Sequence, residues 1–151
     1  MKKFSQEHQE TLETGTKNLL QAIGDDPNRD GLLETPKRVA KAYAEIFSAT
    51  GETQFDNYKL FPTDQDSDMV IVADIPFYAM CEHHLLLFFG TVTVGYVPDG
   101  EIIGLSKIPR LVDWAARRPS VQENLTALIC SEMQRIVHPK GVAVHVQSRH
   151  M

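Results

Sequence analysis

Two stretches of strict alternation limit most narrowly what this chain can fold into. Between Phe88 and Val97, Val92, Val94 and Tyr96 fall on one face and Thr91, Thr93 and Gly95 on the other. Near the end, Val142, Val144 and Val146 alternate with Ala143, His145 and Gln147, and their parity continues to Ser148 and His150. A period of two turns one face of each strand toward a core and the other outward. Met69 to Ile75 reads as a further strand, and Pro98-Asp99-Gly100 as a turn. Between the two alternating stretches the period becomes helical. Ser106 opens one helix, with Pro109 tolerated in its first turn, and Pro119 stops it. Ser120 and Glu123 have capping-box spacing for a second helix, which carries Leu125, Leu128, Ile129, Met133 and Ile136 at core spacing and ends near His138-Pro139. The order strand, strand, helix, helix, strand predicts an α+β region with helices on a sheet.

Ahead of it, Leu12, Leu19, Leu20 and Ile23 sit at helical intervals over residues 5–23, with Ser5 placed as N-cap and Gly24 as terminator. Asp25 to Gly31 is turn chemistry, and Thr35-Pro36 supplies an N-cap and first-turn proline for a helix through about Phe47. The expectation is a helical hairpin. Residues 51–68 are polar and most loop-like at Asp64-Gln65-Asp66-Ser67-Asp68, which divides the chain into an N-terminal helical region and linker, 1–67, and a second region, 68–151.

A chain of 151 residues that is 42% hydrophobic can bury a core without disulfides, and two cysteines, Cys81 and Cys130, are too few for a disulfide framework. No window approaches the ~18 apolar residues of a membrane span, and no apolar stretch follows the N-terminal lysines, so a cytoplasmic, unanchored chain is expected. A net charge of -5 argues against general nucleic-acid binding. Local cationic clusters remain: Lys37-Arg38 with Lys41, Lys107 with Arg110, and Arg117-Arg118. They suit a small polyphosphate.

Chemistry concentrates at Cys81-Glu82-His83-His84. The Cys-x-x-His interval offers a soft sulfur and an imidazole nitrogen to one ion, a donor pair suited to zinc, while a buried thiol beside a surface imidazole is the plain alternative. His83 could move protons, although on a continuous strand it would face away from His84, so both serve one pocket only if the segment bends. Ser106-Lys107-Ile108-Pro109-Arg110 places two cations at a helix N-terminus, an anion-favouring end or an ordinary exposed first turn. Arg38 and Lys41 lie one helical turn apart. Glu123 has a structural job available in the capping box, Cys130 reads as a small buried apolar residue, and His138 as a charge at a helix end. His8 and His145 have no evident partner, whereas His150 shares the parity of the apolar strand face.

Met80-Cys81-Glu82-His83-His84-Leu85-Leu86, Gly104-Leu105-Ser106-Lys107, Ala116-Arg117-Arg118-Pro119, Val121-Gln122-Glu123-Asn124-Leu125-Thr126 and His150-Met151 occur in the order seen in GTP cyclohydrolase I, which the chain resembles over nearly its whole length, including Glu34 to Ala40. The resemblance implies a tunnelling fold, two antiparallel helices on a four-stranded antiparallel sheet, assembled as a homodecamer with sites at subunit interfaces. It implies conversion of GTP and water to formate and 7,8-dihydroneopterin triphosphate, the entry to folate and tetrahydrobiopterin. Cys81 and His84 would then bind Zn(2+), with His83 and His150 handling protons and Ser106 near the reacting ribose. Lys107 and Arg110 would bind triphosphate, helped by Arg38 and Lys41 from a neighbouring subunit, and Gln122 and Glu123 would read guanine.

Leu87, Asn124 and Arg149 depart from residues frequent in the family. Two positions beyond the histidine matching His150, the family carries a second zinc-ligand cysteine, then a basic residue and a closing strand, whereas this sequence ends at Met151. Taken literally, the 151 residues are expected to hold zinc weakly and release little formate. An incomplete stretch of an active enzyme is the favoured account, and a shortened, non-catalytic assembly partner the alternative.

Overall fold

The computed structural model describes residues 4–64 and 68–151, and the chain divides into two compact units, one through Thr50 and one from Gly51. Residues 65–67, within the loop-like stretch expected at 64–68, lie outside the described residues.

The first unit is a pair of packed helices, α1 (Gln6–Ala22) and α2 (Thr35–Ile46). Ser5 Oγ accepts from His8 N at 3.2 Å while Ser5 N donates to His8 Nδ1 at 3.4 Å, so His8 completes a capping box. Gly24, at φ 88, takes the left-handed conformation that ends α1. The N-cap of α2 is Glu34 rather than Thr35, which is already helical, and Pro36 follows where its missing N–H costs nothing.

The second unit contains β1 (Leu60–Pro62), β2 (Val70–Cys81), β3 (Leu87–Val97), β4 (Glu101–Ile103), α3 (Lys107–Ala116), β5 (Pro119–Ser120), α4 (Gln122–Val137) and β6 (Gly141–His150). A four-stranded sheet runs β5-β2-β3-β6, and β1 pairs separately with β4. The three long strands are antiparallel, but β5 lies parallel to β2, touching it only at Met80 and Cys81. β2 continues well beyond Ile75, because among the described residues no strand lies along the edge beside Pro76 and a residue without an N–H is tolerated there. Its register shifts between Val72 and Ile75, where Asp74 adopts φ 55.

The alternating faces pack as expected: Val92, Val94 and Tyr96 are buried with Leu111 and Val112 of α3 and Leu125 of α4. Each such aliphatic side chain contributes roughly 1.5–3 kcal/mol. The Tyr96 hydroxyl accepts from Ile103 N at 3.3 Å, tying β4 to the Val70–Tyr96–Val142 end of the sheet, and burial pushes its phenol pKa up.

Two further caps differ from expectation. Ser106 is the N-cap of α3 without a side-chain bond, and the Ser120–Glu123 capping box does not form. Ser120 is held in β5 by its pairing with Cys81, its hydroxyl donates to Val121 O, and Val121 becomes the N-cap of α4. Non-local pairing overrides a local signal there. Cys130 is half-buried rather than fully enclosed, and His138 closes α4 in a left-handed conformation at φ 47.

Part of the polar stretch before β1 is anchored. Trp114 Nε1 donates to Glu52 Oε2 at 2.7 Å and Arg118 Nη1 to Glu52 O at 2.8 Å. Phe55 N donates to Glu132 Oε2 at 2.7 Å, and Arg135 Nη2 donates both to Phe55 O at 2.9 Å and to Glu132 Oε2 at 2.7 Å. Glu132 is only 4% exposed, so these partners are what make its burial tolerable.

Candidate active site

The Cys81 run sits where β2 turns into β3. Cys81 N donates to Leu86 O at 2.8 Å and Leu85 N to Cys81 O at 2.9 Å, closing a turn over Glu82, His83 and His84. Leu85 is forced to φ 54, a region L residues avoid. The turn supplies the bend that the two histidines need. Their ring centroids lie 6.1 Å apart at an interplanar angle of 79°, and both side chains are exposed, with Cys81 half-buried.

Sheet register brings other candidate residues to the same end. On one side Cys81 pairs with Ser120, and Glu82 N donates to Ser120 O at 3.0 Å, which sets Gln122 and Glu123 at the first turn of α4 beside the hairpin. On the other side Phe88 pairs with His150, and Met151 N donates to Leu87 O at 3.1 Å. The His150 ring stacks on Phe88 with centroids 5.0 Å apart and planes 2° from parallel. Its Nε2 lies 3.2 Å from both Gln122 Oε1 and Ser148 Oγ. Ser148 Oγ also bonds Gln122 Oε1, and Gln122 Nε2 donates to Val146 O at 3.2 Å.

Gly90 permits this arrangement. It pairs with Ser148, and a Cβ on it would lie 1.9 Å from Gln147 O and 2.8 Å from Ser148 Cα. Only glycine lets β6 approach β3 so closely at that height.

Ser106, Lys107 and Arg110 are elsewhere. Gly104 N bonds Lys59 O and Lys107 N bonds Gly104 O, which keeps the start of α3 near β1 and β4, at the Tyr96 end. Nine residue steps of β3 separate Tyr96 from Leu87, about 30 Å at strand rise. Within one chain the cationic helix start and the Cys81 hairpin therefore occupy opposite ends of the sheet. Lys107 Nζ donates to Asn57 Oδ1 at 2.9 Å, and Arg110 is exposed one turn further on. Arg38 and Lys41 are exposed on α2 of the first unit.

A model of the family described as GTP cyclohydrolase I matches residues 12–151. The chain belongs to the GTP cyclohydrolase I family. A GTP cyclohydrolase 1 from Lactiplantibacillus plantarum is 54% identical over 149 residues, covering 98% of this chain and 79% of the relative. One from Latilactobacillus sakei subsp. sakei is 56% identical over 143 residues, 93% of this chain and 76% of the relative. The bifunctional protein FolKE of Lactococcus lactis subsp. cremoris is 55% identical over 143 residues, 93% of this chain and 41% of its own length.

For a GTP cyclohydrolase I chain, the donor set at the hairpin fits zinc in kind: a cysteine thiol, deprotonated on binding, and an imidazole within one tight turn. Among the described residues no group of three His, Cys, Asp or Glu side chains is placed to hold a metal. No described helix is long and apolar enough to cross a membrane.

Three contacts at or near the site residues escaped sequence reasoning. Ser148 shares the parity of His150, which was a usable signal, but nothing local paired it with Gln122. Phe88 under His150 follows from strand register, and Asn57 on Lys107 bridges fifty positions.

Proposed function

We propose that this chain carries out the zinc-dependent reaction of its family in the cytoplasm, opening the purine of GTP to give formate and 7,8-dihydroneopterin triphosphate for folate or tetrahydrobiopterin synthesis. The observation that carries the reading is the convergence, at one sheet end, of the Cys81–His84 hairpin, the Gln122–Glu123 helix start and His150. Bound zinc, held by Cys81 and His84, would supply Lewis-acid activation of water.

Glu123 accepts hydrogen bonds from the guanine ring N–H and exocyclic amine, a paired contact that adenine cannot offer. Its side chain is exposed and free of the capping-box role. His83 and His150 deliver and collect protons at the five-membered ring: protonation of a ring nitrogen makes C8 electrophilic, water adds there and one C8–N bond breaks to leave a formamide, and a second water then adds to the formyl carbon as the other C8–N bond breaks and formate leaves. The ribose then rearranges and the pterin ring closes.

Lys107 and Arg110 bind the triphosphate beside Ser106, with Arg38 and Lys41 as further cations. Because the Lys107 group lies at the Tyr96 end of β3 and the hairpin at the Leu87 end, positions about 30 Å apart along that strand, we assign the two to different copies around a single GTP. A complete site combines the hairpin end of one copy with the α3 start of another, as in a homodecamer with sites between subunits.

Mixing two inactive variants tests this. Cys81→Ser damages one sheet end and Lys107→Ala the other, so dissociating and reassembling equal amounts should restore roughly a quarter of the formate release expected of intact sites. A mixture as inactive as its components, despite proven co-assembly, would rule out the composite site.

A further inference from the structure

The hydrogen bonds around Gln122 leave one arrangement of protons that satisfies them all. Val146 O can only accept, so the atom facing it at 3.2 Å is the Gln122 amide nitrogen, and a flipped amide would set oxygen against oxygen. Oε1 therefore faces both Ser148 Oγ and His150 Nε2. Ser148 has a single hydroxyl proton for two contacts. If that proton went to His150 Nε2, both contacts of Gln122 Oε1 would be lone pair against lone pair. With the hydroxyl donating to Oε1, the 3.2 Å contact from His150 to Oε1 requires a proton on Nε2. The same N–H is within reach of Ser148 Oγ, at 3.2 Å. Phe88, stacked 5.0 Å beneath the ring, fixes its plane.

We propose that Ser148 and Gln122 are positioning residues that keep a proton on His150 Nε2, leaving Nδ1 as the atom through which His150 exchanges protons. Among the described residues Nδ1 has no hydrogen-bond partner. Gln122 then has both oxygen lone pairs and one of its two N–H groups committed to the protein, so its main work is orienting His150 and Glu123 is left as the principal guanine reader. The inference rests on the proposed proton-handling role of His150.

The test is the tautomeric state of His150 in 15N-labelled protein at pH 8, with its signals assigned by their loss in His150→Gln. The expected signature is a protonated Nε2 and an unprotonated Nδ1. Ser148→Ala and Gln122→Ala should each move both nitrogens toward a mixture of tautomers, and Ser148→Thr should restore the wild-type pattern. Ser148→Ala should also lower kcat for formate release about fivefold to tenfold, with KM for GTP changed less than about twofold. Protonated Nδ1 in the wild type, or wild-type nitrogen shifts in both alanine variants, would overturn the inference. Full activity in His150→Ala would instead overturn the reading on which it rests.

Discussion

Glu82 donates its backbone N–H to the carbonyl of Ser120 at 3.0 Å, and this bond, beside the pairing of Cys81 with Ser120, joins the β2–β3 hairpin to the strand residue that leads into α4. The first acidic side chain of that helix, Glu123, is exposed and makes no capping bond. Glu123→Gln should therefore leave the melting temperature within about 2 °C of wild type. The same change replaces a charged acceptor in the proposed guanine contact, so kcat/KM for GTP should fall about 10- to 100-fold. Steady-state formate release and a thermal melt on one preparation check both parts.

Gly90→Ala should be far more damaging than its size suggests. The added methyl would need space 1.9 Å from Gln147 O, so β6 must shift away from β3. A stability loss of about 3 kcal/mol or more is expected in urea unfolding, with formate release falling as His150 leaves Phe88.

Zinc content should track the hairpin. Cys81→Ser and His84→Ala are each expected to reduce bound zinc by about tenfold or more after dialysis, because each removes one of the two donors proposed at the turn. His83→Ala should retain wild-type zinc yet lose formate release. Metal analysis beside the activity assay separates ligand from proton handler.

Glu132 should give acid sensitivity. Burial works to raise its carboxyl pKa, but the Arg135 guanidinium and the Phe55 N–H outweigh it, and the net direction is downward from 4.5. A depressed folded-state value means that this stabilisation is complete above the ordinary carboxylate range and disappears as pH falls through the lower folded value. Glu132→Ala leaves Arg135 without its buried partner and should cost about 3–5 kcal/mol at pH 7. The gap between variant and wild type in urea melts should narrow steadily below about pH 4.5.

The sequence patterns reached the elements more readily than their assembly. Val92, Val94 and Tyr96 are buried because a period of two needs no partner to be recognised, and the caps at Ser5 and Gly24 are equally local. Ser120 misled because its pairing with Cys81, about forty positions away, removed it from the helix it could have capped. The candidate residues were legible as residue types, but not their division between two sheet ends, which depends on β4 docking against Tyr96. Likewise, the family resemblance offered Gln122 as a guanine contact, and only the meeting of α4 with β6 revealed its bonds to Ser148 and His150.

The left-handed Leu85 means that the Cys-Glu-His-His run is not a portable cassette. Transplanted into an ordinary two-residue β-turn, the same four letters would keep their donors and lose their aim, since the bend between the histidines belongs to a backbone held in an unfavourable conformation by ladders on either side. An engineer seeking this chemistry in another scaffold would have to carry across the whole sheet corner, with β5 and β6 attached.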